Sequence, residues 1–134
     1  MKLLTILAVS GLLCETTAGD AAPRARNPPK HGFPKLGSCY LTRVTAIEGR
    51  LRGDAVTGGS GSQVELGNGV FQVSYEMVPQ IVHSRVGDRV TMCVVRLPTK
   101  CPKGDFRGVV YRTGNWRTKE SWTLPNAEHN CGGA

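Results

Sequence analysis

The chain predicts an all-β fold: a small antiparallel barrel of five or six strands, stapled by disulfides. Three observations carry this. Residues 70–78, V-F-Q-V-S-Y-E-M-V, alternate with a period of two, the pattern of a strand with one buried face. Gly, Asn and Pro punctuate the chain at short intervals, and no window of ten or more residues repeats every 3.6 residues, as an amphipathic helix would. Four cysteines, Cys39, Cys93, Cys101 and Cys131, follow the N-terminal segment, an even count in a chain of 134 residues.

The elements follow in order. Residues 39–47, C-Y-L-T-R-V-T-A-I, read as the first strand, with a continuation to Leu51 left open. Residues 63–66, Q-V-E-L, pair with 70–78 across Gly67-Asn68-Gly69, because Asn-Gly tolerates the positive φ of a tight hairpin. In 70–78 the apolar face holds Phe71, Val73, Tyr75 and Met77, and the polar face holds Gln72, Ser74 and Glu76. A short helical turn fits Pro79–Arg85. Residues 89–97, R-V-T-M-C-V-V-R-L, are apolar on both faces and read as a central strand, launched by Gly87-Asp88 and stopped by Pro98. Residues 108–112 and 121–124 supply the last two strands, with a turn near Gly114-Asn115 or Thr118–Glu120. A long first strand, a hairpin and a strand introduced by Gly-Asp fit an OB-like barrel, with an SH3-like barrel as the alternative.

Length and charge bound the function. A chain of 134 residues has room for one domain, which excludes a multidomain enzyme. Seventeen Lys and Arg against ten Asp and Glu give a net charge of +7, which favours anionic partners. Residues 1–18 combine Lys2, an apolar run from Leu3 to Leu13 and small residues at Thr16 and Ala18, the layout of a secretory signal peptide. Lipid attachment at Cys14 is a second option, although Leu13 stands where that chemistry wants a small residue. No segment is long and apolar enough to span a bilayer. Residues 19–36, rich in Pro and basic residues, read as a disordered linker, and 37–134 as the barrel domain. The expected destination is the periplasm or the extracellular medium.

Export and small size favour disulfides among the four cysteines. The reading favoured here is Cys93–Cys101 across a tight reversal with Cys39–Cys131 bracketing the domain; Cys39–Cys93 with Cys101–Cys131 is the alternative. The spacings suit zinc poorly. Residues 57–62, T-G-G-S-G-S, lack the Lys-Ser/Thr of a phosphate loop and the second glycine of a nucleophile elbow. His83, Ser84 and Asp88 are the residue types of a hydrolytic triad, but nothing in their spacing assembles them.

Binding is the stronger expectation. Arg107, Arg112, Arg117 and Lys119 cluster around the last hairpin with Trp116, whose polar neighbours mark it as exposed, whereas Tyr111 and Trp122 read as core. Basic side chains interleaved with rings suit a groove for a polyanion or a sugar. From Val73 to Ala134, the pattern V-S-Y-E…S-R-V-G-D-R-V…C…C-P-K-G-D-F-R-G…N-W-R-T…S-W-T-L-P-N-A-E-H-N-C-G-G-A resembles a group of short exported bacterial proteins of uncharacterised function. The resemblance implies an envelope setting and a cysteine-bearing tail that belongs to the fold; it assigns no functional residue. The expected function is a non-catalytic, monomeric, cofactor-free binding module for an anionic polymer or glycan of the envelope. No intracellular nucleic acid is expected as a partner. The alternatives are a structural or inhibitory protein-binding domain, and a small hydrolase using His83 or His129.

Overall fold

A computed structural model describes residues 27–133. The signal segment, Cys14 and the first part of the linker lie outside the described residues. Six strands and one helical turn follow in order: β1 (Cys39–Glu48), β2 (Ser62–Leu66), β3 (Phe71–Ser74), α1 (Pro79–Val82), β4 (Arg89–Arg96), β5 (Val110–Asn115) and β6 (Ser121–Pro125).

All neighbours are antiparallel, in the order β3-β2-β1-β4-β5-β6. The long connection that returns β4 to the far side of β1 makes a Greek key, the arrangement on which OB-like barrels are built. β1 serves two partners in succession. Cys39 to Arg43 pair with β4, and Val44 to Glu48 pair with β2 across an irregularity at Val44/Ala46. A bulge there bends and twists the strand, so one strand carries the sheet around the corner. The sheet curls until β3 approaches β6, forming a half-barrel.

The interior is filled by alternate residues of each strand: Tyr40 and Val44, Val64 and Leu66, Val90, Met92 and Val94, then Tyr111 and Trp122. Ile81 of α1 plugs one end, fully buried. Pro is tolerated at the start of α1 because the first N–H groups of a helix have no intrahelical partner.

The face assignment of β3 is corrected by the structure. Gln72 is buried, at 0% exposure, and so is its neighbour Val73, whereas Phe71, Tyr75 and Met77 are exposed and the strand stops at Ser74. Alternation says which residues share a face, not which of them neighbouring segments cover: Gln72 is buried from one side and Val73 from the other. The inward amide is stable because its hydrogen bonds are made: Thr113 Oγ1 lies 2.8 Å from Nε2 and 3.0 Å from Oε1, and Trp122 Nε1–H donates to Oε1 at 2.6 Å. These bonds join β3 to β5 and β6 where no strand ladder closes the barrel among the described residues. Every buried side-chain nitrogen and oxygen among the described residues has a partner, as interiors require.

The favoured disulfide pairing is also corrected. The bridges are Cys39–Cys93 and Cys101–Cys131, with Cα separations of 4.0 and 5.1 Å. Cys39 lies directly opposite Cys93 in the β1–β4 register. After Pro98 the chain does not reverse at once; it enters a long connection to β5, and the C-terminal segment comes back to meet it, with Cys131 N–H donating to the Arg107 carbonyl. Two bridges are consistent with an oxidising, extracytoplasmic location. Among the described residues no helix is long and apolar enough to cross a membrane.

Candidate binding cleft

The structure separates the residues that the sequence grouped. β5 is about 20 Å long at the usual rise per residue; Arg107 stands before its start and Trp116 after its end. Arg112 lies between them, exposed, opposite Cys93 on β4 and Thr123 on β6.

Arg117 is held by Asp88. Its Nε and Nη2 donate to Oδ1 and Oδ2 at 2.7 and 2.8 Å, and Nη2 also reaches the His83 carbonyl. Asp88 is nearly buried and further accepts from Asn115 Nδ2 and the Arg85 N–H. The Arg117 hydrogen bonds, reinforced by those from Asn115 and Arg85, hold its carboxyl well below the usual carboxylate range despite the burial that opposes ionisation. This hub ties the β5–β6 turn to the turn before β4. Lys119 occupies a left-handed position in that turn (φ 62°) with its side chain exposed.

The triad residue types have other partners. His83 Nδ1 lies 3.1 Å from Glu120, the Ser84 hydroxyl donates to the Gln80 carbonyl, and Asp88 serves the hub. His129 is exposed in the C-terminal segment. Among the described residues no group of three or more His, Cys, Asp or Glu is placed to hold a metal ion.

Arg107 belongs to a different region. Together with Phe71, Lys103, Asp105, Phe106 and Asn126 it lines a shallow, open cleft of about 650 Å³ between the outer side of β3 and the β4–β5 connection. The connection is fixed on every side. Asp105 receives Arg107 Nε and Nη2 at 2.9 and 2.7 Å and the Gly132 N–H at 3.0 Å. The Arg107 bonds, with that of Gly132, lower the Asp105 pKa well below its ordinary value. Asn126 Oδ1 accepts from the N–H groups of Gly108 and Val109, and the Cys101–Cys131 bridge pins the base of the loop. Phe33 packs edge-on against Phe106 with centroids 5.2 Å apart, and Pro34 is buried.

A second hollow of about 290 Å³, lined by Val73, Tyr75, Leu124, Pro125 and Glu128, adjoins the first through Ala127. Arg50 stacks over the Tyr75 ring at 4.6 Å and pairs with Glu128 at 3.3 Å. The groove therefore runs along the β3 segment from the exposed Phe71 past the buried Val73 to the exposed Tyr75, about 13 Å.

Sequence reasoning missed Phe71 and Tyr75, which it placed in the core, and Asp105 and Asn126, which it did not single out. The run C-P-K-G-D-F-R-G between two strands was the available signal: paired charges and a ring in a loop beginning at a cysteine. No protein family, curated protein or solved structure matches this chain.

Proposed function

We propose that the protein is an exported, non-catalytic binding module that holds a glycan of the cell envelope in the cleft along β3. The observation that carries this is the exposed Phe71 ring at the edge of a concave site whose polar groups, Asp105, Arg107 and Asn126, are locked in place by their own bonds. Ligand sites commonly enclose 300–1,000 Å³ and combine apolar lining with a few fixed polar groups. A sugar ring offers an apolar C–H face to an aromatic side chain and a rim of hydroxyls to planar carboxylate, amide and guanidinium groups. Arg107 and Arg50 are each balanced by a carboxylate, and Lys103 in one hollow is offset by Glu76 in the other, so the groove suits a ligand of little net charge. OB-like barrels use this strand face and the neighbouring loops for oligosaccharides and oligonucleotides. The signal-like N-terminus and the two disulfides support export.

Titration of the intact protein with soluble, uncharged envelope oligosaccharides tests the reading. Binding should survive high salt, and Phe71→Ala should weaken it about tenfold through lost apolar contact. Absence of binding across such a panel, or unchanged affinity in Phe71→Ala, would overturn it.

A further inference from the structure

We propose that the outward face of β1, β4 and β5 is a second site, separate from the cleft, for an acidic polysaccharide. Register builds it. Arg43 lies directly opposite Arg89 on the neighbouring strand, and Arg112 stands farther along on the same outward face. All three side chains are exposed, and none is among the arginines that form ion pairs in the described residues, namely Arg50, Arg52, Arg107 and Arg117. Like charges directly opposite each other weaken a strand pair, and no carboxylate among the described residues forms an ion pair with either arginine.

The guanidinium groups are nonetheless positioned. Arg89 sits over the Trp116 ring at 4.4 Å, and Arg43 Nη1 donates to the Gly87 carbonyl at 2.9 Å. Trp116 is fixed in turn by its Nε1–H bond to Thr91 Oγ1 at 2.9 Å and by its backbone N–H bond to the Arg89 carbonyl. One of the planar forks that match carboxylates bidentately is thus held over a tryptophan and a second on the Gly87 carbonyl, with Arg112 about 14 Å along the strand from Trp116.

Gly114 is the independent observation. It sits in regular register between Thr91 and Ser121, with no bulge at its position and no positive φ. A Cβ placed there would meet nothing within 4 Å. Neither a positive φ nor a clash at the Cβ position calls for glycine, and a glycine inside a strand weakens it. What its absent side chain leaves is an open floor between Arg112 and the Arg89–Trp116 pair, where something approaches the sheet closely. A flat sugar ring laid on that floor brings its own and its neighbours' carboxylates to the arginines. A chain of phosphates would use the charges alone and would not need the floor.

Binding of polygalacturonate oligomers to the intact protein at low salt tests the assignment, with inorganic polyphosphate as the ring-free polyanion. Arg89→Glu and Arg112→Glu should each weaken polygalacturonate binding about tenfold or more. Gly114→Val, whose Cβ enters open space and whose side chain favours strands, should fold as judged by circular dichroism and weaken it comparably while polyphosphate binding is unchanged. Phe71→Ala should leave it unaltered, which separates this site from the cleft. Failure of polygalacturonate to bind at low salt, insensitivity to Gly114→Val, or equal loss in Phe71→Ala would each overturn the proposal.

Discussion

The arginines at the two ends of β5 and those on the sheet face share one chemistry and have opposite surroundings. Arg107 and Arg117 each close a two-bond fork on an aspartate, Asp105 and Asp88; Asp105 also receives two backbone N–H groups and Asp88 one. Arg43, Arg89 and Arg112 form no ion pair among the described residues and point outward from one sheet. The first group fastens loops. The second raises the local positive potential at a cost to the strand pair that carries it. The arginines of the described residues therefore divide into those whose charge is cancelled in architectural pairs and those that form no ion pair.

That division can be broken experimentally. The largest effect should come from the bridges. Cys101 and Cys131 are 30 residues apart in sequence, and replacing both by Ser should cost about 3–4 kcal/mol in urea unfolding on the chain-entropy estimate. Because this bridge pins the cleft wall, glycan binding should fall while polygalacturonate binding persists at temperatures where the variant is folded. Equal loss of both ligands would mean that the regions are not separate.

Asp88→Asn comes next. It weakens the fork on Arg117 within a nearly buried network, and the expected loss is about 2 kcal/mol, reduced because Arg117 is itself partly exposed. By contrast, Arg112→Ala should change unfolding free energy by no more than about 0.5 kcal/mol. The pH dependence sharpens the contrast. The folded Asp88 titrates below its unfolded value, so its contribution is complete above about pH 4 and is lost as pH falls through and below that point. Asp88→Asn should make this acid limb shallower, leaving the part that the likewise lowered Asp105 supplies; Arg112→Ala should leave it intact.

Much of the fold is legible in the chain. The β-branched run Val90–Val95, the Asn68-Gly69 turn and Pro98 mark a central strand, a hairpin and a strand end without tertiary information. The disulfide pairing was not legible, because it depends on Cys39 and Cys93 falling opposite each other, a matter of register between strands far apart in sequence. Gln72 was unreadable for a related reason: its burial depends on Thr113 and Trp122 arriving from β5 and β6 to satisfy its amide. The site was half legible. Trp116 and Arg112 were recognisable as exposed and basic, but which arginines have aspartate partners is decided only when Asp88 and Asp105 come within reach.

Backbone amide NMR of the folded protein, titrated first with an uncharged envelope oligosaccharide and then with polygalacturonate, tests the separation of the two regions most directly. The first ligand should move resonances of Phe71, Asp105 and Asn126, and the second those of Arg43, Arg89, Gly114 and Trp116, with neither displacing the other. Perturbation of a single shared set of residues by both ligands would contradict the account.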